Sequence, residues 1–204
     1  MAKTLRVILQ TLFLILFFLL VFAGRVQVWM GIFLLSAILT LFLGRFYCGW
    51  ICPINTVMNV VAKIKSKLHL KSLSVPGFVK KPFYRYGMLT AFILAFIFVM
   101  ASGKKLPVLP GLLAIGAFLT VFYPENLWHR YLCPYGAILH MAGKLSKHYY
   151  RVVGDLCVSC GICRKACPVE AVQVYDGKYV ITKSECLVCG SCVVNCPKKA
   201  IRYQ

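Results

Sequence analysis

Four stretches of this 204-residue chain hold no charged residue: 7–24, 26–44, 86–103 and 106–124, of 18, 19, 18 and 19 residues. Each approaches the roughly 20 residues an α-helix needs to cross about 30 Å of hydrocarbon. A hydrophobic content of 60% and a mean hydropathy of +0.78 exceed what a soluble core of this size can bury. The reading is an α-helical membrane protein with four transmembrane helices. Only Gly24-Arg25 separates the first two helices and 103–110 the last two, so they form two hairpins that open toward the same side. The first run follows Lys3 and Arg6 as a signal peptide would, but its 18 residues exceed the usual 7 to 15, so an uncleaved span is expected.

Charge sets the orientation. Of 24 Lys and Arg, 17 precede residue 152, against one acid there, Glu125, out of five in the chain. Three of those basic residues (Arg25, Lys104, Lys105) lie in the short turns and 14 on the other side, which places both termini in the cytoplasm and the chain in the cell's inner membrane. Nucleic acid is excluded as a partner, because these cations punctuate apolar runs and share no soluble face. In the 45–85 connection Val57, Val60, Val61, Ile64 and Leu68 recur at helical spacing, with Lys63, Lys65, Lys67 and Lys71 on the remaining arc. This predicts a helix lying in the cytoplasmic interface, against the lipid bilayer. No nucleotide-binding glycine loop, covalent-haem motif or H-E-x-x-H zinc motif occurs, so no catalytic residue is assigned and any chemistry must come from bound metal.

From residue 152 the composition changes. Cys157, Cys160, Cys163 and Cys167-Pro168 form one C-x2-C-x2-C-x3-C-P motif, and Cys186, Cys189, Cys192 and Cys196-Pro197 form a second, 29 residues on. Two-residue gaps let three thiolates take three corners of one cubane, while the cysteine before proline ligates the other cluster. The expected sets are therefore Cys157, Cys160, Cys163 and Cys196 for one 4Fe-4S cluster, and Cys186, Cys189, Cys192 and Cys167 for the other. A zinc ribbon needs neither the third cysteine nor the Cys-Pro step. Asp176-Gly177, between Val172, Val174 and Tyr179, Ile181, predicts a hairpin with a type I′ turn. Residues 152–204 thus read as a small α+β bacterial two-cluster ferredoxin domain, after a 1–151 membrane domain.

Three cysteines remain. Arg45-Phe-Tyr-Cys48-Gly-Trp-Ile-Cys52-Pro53 follows the second apolar run, and Trp128-His129-Arg-Tyr-Leu-Cys133-Pro134 follows the fourth. At an offset of 81, Cys48 meets His129, Cys52 meets Cys133 and Pro53 meets Pro134, so the hairpins read as one repeated unit. Cys48, Cys52, His129 and Cys133 make a four-ligand set suited to a third iron or iron–sulfur centre; a thiol pair, a structural zinc and plain packing are the other readings. Glu125 reads as the carboxylate of a first helical turn, and His140 as a packing residue on an apolar face.

Together these motifs resemble the membrane-bound 4Fe-4S polyferredoxins, the NapH-like and nitrous-oxide reductase accessory type. The resemblance covers nearly the whole chain, departing at His129, where the family often has cysteine. It implies electron transfer between the quinone pool or a soluble donor, the clusters and a partner redox enzyme. A sister group with similar motifs reduces copper during oxidase assembly, which is the alternative reading.

Overall fold

The computed structural model describes residues 2–102 and 108–204; the expected turn with Lys104 and Lys105 lies outside them. The chain divides into two compact units, one joining residues up to Pro53 with Leu139–Gln204, the other Ile54–Ile138. The first hairpin thus clusters with the C-terminal cysteine-rich segment and not with the second hairpin, a grouping that the composition change at residue 152 does not reveal.

In the first unit α1 (Ala2–Phe22) and α2 (Val26–Leu43) are the antiparallel pair. The buried stripe of α2 is Trp29, Phe33, Ser36 and Thr40, spaced three and four apart as one helical face requires. Phe17 of α1 meets the Trp29 ring edge-on at 5.2 Å, and Trp29 Nε1–H donates to the Tyr47 hydroxyl at 3.0 Å. Other faces stay bare: Leu12, Ile15, Leu19, Leu34 and Ile38 are each more than half exposed. Apolar area on that scale is compatible with a membrane protein.

The second unit holds α4 (from Pro53 to Lys67), α5 (Pro82–Ser102) and α6 (Val108–Phe122). Among the described residues three helices are long and apolar enough to cross a membrane, within Thr4–Phe22, Val26–Leu43 and Pro82–Val99. At 15 residues, about 22 Å, α6 is shorter than the expected run. The α4 helix forms as its pattern predicts, with one correction. Lys65 is buried, and its Nζ donates to the Thr120 carbonyl at 3.3 Å. The inward face is Ile54, Met58 and Lys65, which leaves Val60, Ile64 and Leu68 exposed.

The hairpin repeat has a backbone signature. Thr40 and Thr120 each donate from Oγ1 to the carbonyl four residues back, Ser36 and Gly116, both at 2.8 Å. The Cys52 N–H donates to Tyr47 O at 2.9 Å and the Cys133 N–H to Trp128 O at 2.8 Å, each five residues back. Pro53 and Pro134 then open α4 and α7 (Pro134–Lys144), where a missing N–H costs nothing. The helices align at an offset of 80 and the motifs at 81. The extra residue of the second repeat therefore lies between Thr120 and Trp128, just ahead of a π turn at Leu127–Leu132.

In the C-terminal segment β2 (Val172–Tyr175) pairs with β3 (Lys178–Ile181) as expected, with Asp176 and Gly177 at φ of 50° and 71°, the positive pair a type I′ turn needs. Nothing lies within 4 Å of a Cβ added at Gly177, so Gly177→Ala tests backbone conformation alone. It is expected to cost about 1 kcal/mol, read as a lowered thermal midpoint. A strand that sequence reading did not anticipate, β1 (Tyr150–Val152), pairs antiparallel with β4 (Ile201–Tyr203) and begins before the composition boundary.

Candidate metal centre

The 29-residue repeat recurs in the backbone. Ser159 and Val188 sit at φ of 51° and 52°, Gly161 and Gly190 at 75° and 71°, Glu170 and Lys199 at 52° and 48°. A β-branched residue at positive φ is costly, so Val188 marks a conformation that the loop demands. The Ala171 N–H donates to Cys167 Sγ at 3.2 Å and the Ala200 N–H to Cys196 Sγ at 3.3 Å.

These loops enclose two cavities. One is lined by Cys157, Cys160, Cys163 and Cys196, the other by Cys167, Cys186, Cys189 and Cys192. The cysteine before each proline lines the other motif's cavity. Among the described residues no three His, Cys, Asp or Glu side chains converge closely enough to hold a single metal ion. Four thiols spread around an apolar hollow suit the corners of a cubane and not one zinc. Burial pushes the Cys163, Cys167 and Cys192 thiols up, and Cys186 up to about 12, with neighbouring thiols adding to the rise. Metal-free, these groups hold their protons. Loading iron must displace them, so acid opposes it.

Tyr150 and Tyr179 are two lining residues the motif analysis missed. They too are 29 apart, and each closes one cavity: the Tyr179 hydroxyl lies 2.8 Å from a Cβ added at Gly161, and the Tyr150 hydroxyl 3.5 Å from one added at Gly190. Extending the 29-residue comparison upstream of Cys157 would have paired them.

The cavities differ in surroundings. Around the first, Cys160, Val158 and Ile162 are exposed. Around the second, Leu187 and Val188 are buried, 2% and 4% exposed, against α3 (Phe46–Trp50). Trp50 Nε1–H donates to Val188 O at 2.9 Å, and a Cβ added at Gly49 would run into the Leu187 carbonyl oxygen. Arg6 donates to Cys189 O and to Ser191 Oγ. Open carbonyls at the end of α2 are filled from the same lobe: Lys147 N–H to Leu41 O, His148 N–H to Phe42 O and the Tyr203 hydroxyl to Leu43 O, at 3.0, 3.1 and 3.0 Å.

Cys48 and Cys52 are buried within the first unit; His129 and Cys133 are buried within the second. Cys133 Sγ accepts the Gly136 N–H at 3.3 Å. The Trp128 ring beside His129 seats on Gly116, where an added Cβ would stand 3.1 Å from it. Glu125 stands ahead of the π turn, its carbonyl accepting the His129 N–H at 3.1 Å.

A protein-family profile described as "4Fe-4S binding domain" matches the chain twice, over 26–71 and 106–151, and one described as "4Fe-4S dicluster domain" matches 156–201. Ferredoxin-type protein NapH of Haemophilus influenzae is 30% identical over 65% of this chain and 52% of its own length. The chain belongs to the NapH-like polyferredoxin family. Methylamine utilization ferredoxin-type protein MauN of Methylobacillus flagellatus is 27% identical over 68% of this chain and 53% of its own. An uncharacterised protein of Methanocaldococcus jannaschii is 30% identical over 67% and 56%. The chain spans about half the length of the curated relatives it matches. The two matches of the first profile each run from the second helix of a hairpin through its C-P motif, so this polyferredoxin joins a duplicated 4Fe-4S binding unit to a dicluster unit.

Proposed function

We propose that the chain is a membrane-anchored electron-transfer subunit that carries two 4Fe-4S clusters and passes electrons between the quinone pool, or a soluble donor, and a partner redox enzyme. The observation that carries the reading is the pair of crossed cysteine cavities, one seated on the C-x3-C-P turn at the end of an apolar hairpin and the other facing outward. Cys157, Cys160, Cys163 and Cys196 would hold the first cluster and Cys186, Cys189, Cys192 and Cys167 the second. When bound, such clusters supply one-electron chemistry with little rearrangement. The protein's part is to exclude water with Val152, Ile181, Val169 and Leu187, and to aim the Ala171 and Ala200 amides at ligand sulfur.

In this reading α6 completes four spans, and the positive-inside count places both termini and the ferredoxin segment in the cytoplasm. Cys48, Cys52, His129 and Cys133 supply a third redox-metal centre on the quinone side, a role supported by the "4Fe-4S binding domain" profile matching both repeats. Anaerobic membranes mixed with quinol should change the oxidation state of the clusters, followed by electron paramagnetic resonance. Cys52→Ala and Cys133→Ala should each abolish that exchange and remove one spectroscopic centre while sparing both cubanes. Quinol-linked reduction that survives both substitutions would rule the third centre out. Clusters indifferent to quinol and to any soluble donor, with an unmetallated oxidase in the deletion strain, would favour the assembly role.

A further inference from the structure

Arg45 is the most buried cation described, 1% exposed, and it stands at the start of the turn that carries Cys48. Its Nη1 donates to Ser184 O at 3.1 Å and meets Glu185 Oε2 at 3.4 Å. The other oxygen of that carboxylate lies 3.3 Å from His140 Nδ1, which is also 3.2 Å from Ser184 O. His140 is therefore no packing residue, as its apolar neighbours had suggested, but part of a buried polar cluster. Gly143 makes room for the arginine stem: a Cβ there would stand 3.3 Å from Arg45 Cγ. Glu185 is peptide-bonded to Cys186, so the guanidinium grips the segment that leads into the second cavity.

The charges of this cluster balance, one guanidinium against one carboxylate, but its hydrogen bonding is incomplete. Nε and Nη2 of Arg45 have no hydrogen-bond partner. A guanidinium withdrawn from water is expensive unless well paired, and here one carboxylate is shared between Arg45 and His140. A 4Fe-4S core with four thiolates would carry about 2−, a second anion that a buried cation next to its ligand loop favours. The first repeat lacks the device: an offset of 29 carries Ser184 and Glu185 to Asp155 and Leu156, both exposed.

We propose that Arg45 is a positioning residue that clamps the second cluster's loop to the membrane-side turn and raises that cluster's reduction potential above the value the loop alone would set. Reduction adds a negative charge, which a fixed cation favours and a fixed anion opposes. The groups facing one another are Arg45 just ahead of α3, Cys48 within it, His140 from α7, and Glu185 from the ligand loop.

This rests on the crossed two-cluster assignment but on no particular donor or acceptor, so quinol inactivity would leave it standing. The test is a redox titration of the full-length protein by electron paramagnetic resonance. Glu185→Gln removes the anion while arginine stays charged, and should shift one of the two cluster potentials upward. Adding Arg45→Met should bring that potential back down, whereas adding Arg45→Lys, which keeps the charge, should leave it raised. The other cluster should hold its potential throughout. If Glu185→Gln moves neither potential, or both equally, the proposal fails. It fails equally if the Met and Lys double variants coincide. Should Arg45→Met shed the second cluster, the single Glu185→Gln variant still decides the case.

Discussion

Gly49→Ala is expected to strip the second cluster while sparing the first. The added methyl would meet the Leu187 carbonyl and lie 3.3 Å from the Cys189 N and Cα, all backbone atoms of the loop bearing three ligands. Flexible side-chain tips can yield to such a contact; this backbone is pinned by Trp50, Arg6 and the positive φ of Val188. Overpacking of this kind costs about 3 kcal/mol, the upper part of the usual range. Iron should fall from about eight to about four per chain. Gly31→Ala, with nothing within 4 Å of its new Cβ, serves as the control and should retain full iron. An unaltered iron content in Gly49→Ala would mean that the lobe does not seat on α3.

The second large effect separates spacing from sequence order. Cys167 belongs to the first motif, yet it lines the second cavity. Cys167→Ala should therefore leave the same surviving cubane signal as Cys186→Ala, and Cys163→Ala should leave the other one. Each loss removes a thiolate from a buried site whose remaining thiols, pushed up by burial, lose the iron that kept them deprotonated. Survivors grouped by motif, with Cys167→Ala matching Cys163→Ala, would overturn the crossed sets.

Local and periodic features of this fold are legible in the chain. The apolar runs became helices, Asp176-Gly177 became the turn it encodes, and the eight cysteines of the 29-residue repeat line two cavities. Long-range features were not legible. Lys65 read as part of a polar arc because helical periodicity cannot tell that the Thr120 carbonyl lies within its reach. Arg45 read as one more positive-inside residue, since its Glu185 partner stands 140 positions away. Gly49 drew no reading from its motif, and its purpose emerges only when another backbone is laid against it.

The carbonyls that end α2 bear on biogenesis. Leu41, Phe42 and Leu43 find their donors in Lys147, His148 and Tyr203, residues the ribosome delivers long after the hairpin has left it. Until then three acceptors of an inserted helix must be served by water or lipid headgroups. The first hairpin is thus threaded early and finished last, one of its three donors coming from the cysteine-rich segment whose folding the proposed clusters would complete. Cells starved of iron would accumulate chains with this helix end frayed, a ready mark for membrane proteases.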